Sequence, residues 1–325
     1  MSLVAIWLML IYQLSITWET NVQYSHGFLV PILCFYLILK SQETSFDDTI
    51  KKSFLQGKTW YLFGIPLLLA LPLIWLIRGA NTDWRLLNLV LFGITFILTL
   101  IPVFDQGGWN KSKILIFPIL FFLVAVPWPL ATDLQLTQWF QGKVSSIIVD
   151  VLLLLEHEAS LQGTVIDVGV FGQIGIDQAC SGINGLQASI VITLFFGAYY
   201  RYGWINRFVL ALAGAIIAVG FNLLRAFSLS YIKVKGKGHL LDQHLFSIGE
   251  WQFPSLHDLA GWIETGLIFL TIFLLARSAR GGLYLRMLGN EPNNWGNLKS
   301  TPPITFSILT LTSVTASLAY SNYHF

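Results

Sequence analysis

The chain returns repeatedly to stretches of about 20 mostly apolar residues, the length an α-helix needs to cross the hydrocarbon core of a bilayer. Of its 325 residues, 55% are hydrophobic and only 11% are charged. An average soluble domain carries about 25% charged residues. Most of the charge sits in short loops between the apolar runs, so one polytopic bundle is the expected architecture. Hydropathy predicts helices at roughly Leu3 to Thr17, Phe28 to Leu39, Trp60 to Ile77, Leu86 to Val103 and Ile114 to Leu130. Further helices are predicted at Ile183 to Tyr200, Asn206 to Ile232, His257 to Ala276 and Ile304 to Tyr320. The fold class read from this pattern is an all-α polytopic membrane protein of 8–9 transmembrane helices. The start, Ser2 to Ile16, lacks a basic n-region and a small-residue cleavage site, so it reads as a retained first helix.

The segment Thr132 to Asp177 stands apart. Val144 to Leu155 follows the polar Gln135, Gln138 and Gln141 and ends at Glu156, His157 and Glu158, which fits an amphipathic helix at the outer interface. Val165 to Ile176 alternates apolar residues with Gly169 and Gly172, the pattern of a short extracytoplasmic β-hairpin. Counting Val144 to Leu155 as a full span would reverse every later helix.

Basic residues set the orientation, because cytoplasmic loops carry the excess of lysine and arginine. Lys40 to Lys58, Arg201 to Arg207, and Arg277, Arg280 and Arg286 all fall on one side. That side is taken as cytoplasmic. Lys233, Lys235 and Lys237 fall on the other side and dissent; they suit lipid phosphates or a substrate carboxylate. The net charge of +2 is too small and scattered for a nucleic-acid surface. The two cysteines, Cys34 and Cys180, make neither a disulfide framework nor a paired zinc motif.

Three residues stand out chemically. Cys180, in DQACSGING, lies just before the helix starting at Ile183, where unpaired N–H groups and the helix dipole favour a thiolate and cradle an oxyanion. Its bland reading is a small packing residue, the reading given outright to mid-span Cys34. Arg225, in FNLLRAFSLSYI, sits inside an apolar helix, where an arginine costs about 2.5 kcal/mol or more without a partner. Asn222 shares its face; the competing reading is an arginine reaching out to headgroups. His257, in PSLHDLAGWIETG, opens the next inward-running helix. Helix order brings these three to one face, and cysteine, histidine and arginine together form an acyl-transfer set. Asp177 and Asp258 rank as supporting residues or as simple caps. Glu264, two turns below His257, needs a partner or a proton and reads as structural or polar glue. His239, His244 and Asp242 sit in a glycine-bearing loop, weak grounds for a metal, so neither metal nor cofactor is expected.

At these motifs the chain resembles the exosortase and archaeosortase family of membrane transpeptidases. The strings YSHGFLVPI, ACSGING, NLLR and HDLAGW resemble family patterns in the family's order, from about Trp18 to Ala276. The details look closest to the cyanoexosortase branch. The resemblance implies that Cys180 is the nucleophile and that Arg225 and His257 match the family's arginine and histidine. Tyr24, Ser25 and His26 match another family string; Tyr24 and His26 either line the site or pack. It implies residues 1–280 as the catalytic transmembrane domain; hydropathy and charge make 281–325 a cytoplasmic loop and an extra span. It also implies exported protein substrates with a C-terminal sorting signal, made of a short motif, a transmembrane helix and a basic tail. The expected location is the inner membrane with the active site on the extracytoplasmic face, lipids and an accessory protein being possible partners. From a different class, a multi-span transporter or channel for an anionic solute would also use Arg225, Glu264 and the interior asparagines. Against that reading, no internal repeat or paired broken helices are visible.

Overall fold

Within the described residues, the apolar stretches fold as helices. The computed structural model describes residues 3–42, 60–81, 84–176, 181–242, 247–248, 251–252 and 255–280. Asp177, Cys180, His244, most of the Lys40 to Lys58 loop, Arg286 and the predicted helix Ile304 to Tyr320 lie outside the described residues. Among the described residues, six helices are long and apolar enough to cross a membrane. A seventh is reached if Lys111–Ala125 and Leu130–Leu154 count together as one broken span. Ile183–Tyr199, with 17 residues, is shorter than these. The chain is thus a mostly helical integral membrane protein with six to seven candidate spans among the described residues; the 8–9 predicted include Ile304 to Tyr320, which lies outside them.

The chain divides into two units, Met1–Asp133 and Leu134–Phe325. In the first, α1 (Leu3–Thr20) buries Ile6, Leu10, Leu14 and Trp18 along one stripe and exposes Val4, Leu8, Tyr12 and Ile16 along another. Apolar residues on both faces suit a helix with protein on one side and hydrocarbon on the other. A 3₁₀ segment, Val22–Phe28, leads into α2 (Val30–Gln42). A π-helical turn, Trp60–Gly64, opens α3 (Ile65–Ala80), and α4 (Leu86–Leu120) is broken inside at Gly108. There φ is 59° and ψ is −161°, a conformation reserved for glycine. This break separates the two spans that hydropathy predicts on either side of Asp105 to Lys113.

Helix structure stops again after the 3₁₀ turn Phe121–Ala125, because Pro127 and Pro129 lack N–H groups and restrict the residues before them. The freed backbone groups are taken up from the first unit's N-terminal segment. Trp18 Nε1 donates to Ala125 O at 2.7 Å, His26 Nε2 to Val124 O at 3.1 Å, and Trp128 N to the Tyr24 hydroxyl at 3.1 Å. Asp133, buried, accepts from Arg85 Nη1 at 2.9 Å and Gln23 Nε2 at 2.7 Å.

In the second unit, α5 (Leu130–Leu154, which begins in the first) packs against a three-stranded antiparallel sheet of β1 (Ser160–Gln162), β2 (Val165–Asp167) and β3 (Gln173–Gly175). The predicted hairpin is therefore extended by one strand. Val144, Ile148 and Leu152 of α5 form a core with Ile166, Val168 and Ile176 and with Ala226 and Val234. Gln141 Nε2 donates to Ile176 O at 3.2 Å and Ser145 Oγ to Thr164 O at 3.3 Å. The polar face of this helix thus serves the sheet. The dissenting lysines have structural partners here too: Lys233 Nζ donates to Gln173 O at 2.6 Å, and Lys235 Nζ lies 5.1 Å from the Tyr231 ring centroid.

The centre of this unit is a three-helix group, α6 (Ile183–Tyr199), α7 (Trp204–Ile232) and α9 (Leu256–Arg280). A short turn, α8 (His239–Asp242), and the two-stranded β4 (Ser247–Ile248) and β5 (Trp251–Gln252) precede α9. The start of α6 meets Asn222, its middle meets Gly214, and its end meets Arg207, so α7 runs antiparallel to it. Gly185 meets Glu264 and Ile268, and the Tyr202 hydroxyl donates to Ala276 O, so α9 runs parallel to α6.

Candidate active site

One end of this three-helix group holds a buried ion pair and a buried amide, while Gln187, Ser189 and Thr193 are the buried polar residues further along α6. The chain enters α6 through Ser181 and Gly182, just after Cys180 in sequence. Gly182 caps the helix with φ 86° and ψ −2°, the left-handed region. Space also requires glycine: a Cβ there would lie 2.7 Å from Asn222 Nδ2 and 2.8 Å from its Cγ. Ser181 and Asn222 are buried, and Ile183 N donates to Ser181 Oγ at 3.3 Å. The amide of Asn222 therefore lies against the turn that follows Cys180.

Arg225 is one turn further along the same face of α7. Its Nη1 donates to Glu264 Oε2 at 3.2 Å, and the two side chains are only 11% and 7% exposed. It does not reach out to headgroups; its charge is compensated across the helix interface. The guanidinium passes over Gly261 of α9, where a Cβ would lie 3.3 Å from Nη2 and 3.4 Å from Cζ. The other Glu264 oxygen faces α6, and a Cβ on Gly185 would lie 3.3 Å from Oε1.

His257 occupies the first turn of α9, four residues before Gly261 and so on the same face. Its Nδ1 is 3.9 Å from Asp258 Oδ1, longer than a hydrogen bond. Asp258 is engaged elsewhere: its Oδ2 accepts from Ser255 N at 3.2 Å and Ser255 Oγ at 2.8 Å, while Asp258 N donates back to Ser255 Oγ. This reciprocal box starts the helix that presents His257.

The remaining sequence candidates are placed differently. Tyr24 and His26 belong to the first unit, with their polar atoms on the backbone of residues 124–128 as described above. Gly27 beside them has the Trp18 indole where a Cβ would stand. Among the described residues no group of three or more histidine, cysteine, aspartate or glutamate side chains is arranged to hold a metal ion. Glu264 is the residue that sequence reasoning undervalued. The signal was present, since a buried intramembrane arginine needs an acid and Glu264 interrupts the apolar run of the adjacent helix.

The family model for transmembrane exosortase (EpsH) matches residues 18–274, most of the chain. The chain belongs to the exosortase family. No curated protein and no solved structure matches it. The matched region of this exosortase covers most of the first structural unit and part of the second, ending on α9, past Glu264 and short of the Arg277 to Arg280 end. All three residues singled out for chemistry fall within it.

Proposed function

We propose that this exosortase is a membrane cysteine transpeptidase in which Cys180 is the nucleophile, Arg225 the charge-stabilising group and His257 the proton carrier. The observation that supports it best is the placement of Asn222 against the entry to α6, with Arg225 one turn further along α7 and paired with Glu264. In sequence, Cys180 stands two residues before Gly182.

In this reading the Cys180 thiolate attacks a substrate peptide carbonyl, forming a C–S bond and a tetrahedral oxyanion. Arg225, together with N–H groups at the start of α6, offsets that charge. As the intermediate collapses, the C–N bond breaks and the leaving amine takes a proton from the His257 imidazolium. The thioester is then resolved by an acceptor amine, or by water, whose proton His257 accepts while the thiolate departs. The substrates are exported proteins with a C-terminal sorting signal of the PEP-CTERM type, and the site opens on the extracytoplasmic face of the inner membrane. Branch membership is assigned to the cyanoexosortases on the sequence strings given above.

A conduit for an anionic solute has less support. The buried charges Arg225 and Glu264 pair near one end of the three-helix group, while further along α6 and α9 the aromatic rings of Phe196, Phe269 and Phe273 pack with centroids 5.5–6.3 Å apart. The test is processing of a tagged exported protein in membranes carrying wild-type or Cys180→Ser enzyme. The mutant is expected to leave the sorting signal attached; processing at the wild-type rate would contradict the proposal. Mass spectrometry of the mature C-terminus then separates transfer from hydrolysis.

A further inference from the structure

We infer that Glu264 is a positioning residue, holding the Arg225 guanidinium in one orientation towards the entry of α6; this rests on the role proposed above for Arg225. Asn222, Arg225, Gly182, Gly185, Gly261 and Glu264 come from three helices and meet at two successive levels. At the first, Gly182 receives Asn222; at the second, Gly185 and Gly261 flank the Arg225–Glu264 pair. Both glycines surrender side-chain packing where the pair passes. Glu264 bridges the level, with Oε2 on Arg225 Nη1 at 3.2 Å and Oε1 turned to α6. On α9 it shares a face with His257 and Gly261, seven and three residues away.

Stability alone does not account for this pair. Apolar residues of the same volume bury at lower cost than two desolvated charges, and the next buried layer along the same stripe of α9 is apolar, with Ile268 and Ile272 fully buried. A guanidinium on a long stem has many rotamers, whereas one held by a carboxylate across a helix interface presents a fixed fork. A fixed donor aimed at developing charge is what makes electrostatic stabilisation effective. The charged and titratable groups on the faces concerned are Arg225 on α7 and His257, Asp258 and Glu264 on α9. The first two turns of α6 carry none.

The test uses the full chain in nanodiscs, in a Cys34→Ser background so that Cys180 is the only thiol, with iodoacetamide as the probe. The rate of Cys180 alkylation is followed against pH for the parent, Arg225→Gln, Glu264→Gln, Glu264→Asp and the neutral double variant Arg225→Gln/Glu264→Gln. A guanidinium held near the thiolate lowers the midpoint, so Arg225→Gln should raise it by about one pH unit or more. Glu264→Gln should move the midpoint in the same direction, Glu264→Asp should recover part of the shift, and the double variant should match Arg225→Gln. A change in packing alone alters the alkylation rate without moving the midpoint. A parent-like or lowered midpoint for Glu264→Gln, beside a raised one for Arg225→Gln, overturns this inference alone. If Glu264→Gln fails to fold, the double variant decides: a midpoint different from that of Arg225→Gln shows Glu264 acting directly and overturns it. An unshifted Arg225→Gln removes the proposed role of Arg225 and this inference with it.

Discussion

At the scale of single residues, the second unit is organised by one charge that cannot stay unpaired. Arg225 lies in a helix that is apolar over most of its length, and a guanidinium there needs an anion or water. It finds Glu264, at 3.2 Å, with both side chains buried. Because the pair depends on fork geometry, Arg225→Lys is not conservative. It should lower substrate processing by about 10²-fold, the order that small misplacements of catalytic groups produce, while leaving protein abundance in the membrane near wild type. Processing and immunoblot signal from the same membranes check this. Gly182→Ala should be worse for the fold. A left-handed alanine costs about 1–3 kcal/mol, and its Cβ would meet the Asn222 amide at 2.7 Å. A lowered unfolding temperature together with lost processing is the expected outcome. That Arg225 needed compensation, and that Asn222 shared its face, followed from sequence periodicity. That the partner was Glu264 did not, because helix register between α7 and α9 is set by tertiary packing around Gly261 and Gly185, which no pattern within one helix encodes. Cys180 was picked out by its place before α6, but it lies outside the described residues.

At the scale of elements, helix existence was legible wherever apolar runs were long within the described residues, and boundaries moved where local chemistry intervened. Pro127 and Pro129 end the 3₁₀ turn, and the buried trio Trp18, Tyr24 and His26 satisfies the backbone there. Nothing in the spacing of YSHGF foretells that contact, since it joins segments about a hundred residues apart. Gly27→Ala should displace the Trp18 indole and destabilise the first unit by about 1–3 kcal/mol, the usual penalty for overpacking. Thermal unfolding in detergent, followed by tryptophan fluorescence, measures it. The sheet after α5 was visible as a hairpin because its alternation and glycines are local. Its extra strand, Ser160–Gln162, is exposed throughout and carries no hydrophobic alternation to announce it. Of the lysines after α7 that dissent from the charge rule, Lys233 and Lys235 have contacts with Gln173 O and the Tyr231 ring, which sequence spacing does not announce.

At the scale of the whole molecule, the antiparallel order of α6 and α7 fixes which loops share a side of the three-helix group. The sheet, the entry to α6 and the start of α9 lie at one end, and the Arg201 to Arg207 turn at the other. In a cysteine-free background (Cys34→Ser with Cys180→Ser), Gln162→Cys should react with a membrane-impermeant maleimide from outside the cell, whereas Gly203→Cys should react only after permeabilisation. The reverse pattern would place the polar cluster on the cytoplasmic side. The most direct measurement of the chemistry is thioester trapping. Membranes containing the enzyme are incubated with a tagged exported protein bearing a sorting signal, then quenched and probed for an adduct at Cys180. The expected result is an enzyme–substrate adduct that hydroxylamine releases and that Cys180→Ser does not form; no adduct, with a substrate known to be processed in the same membranes, would contradict cysteine transpeptidation.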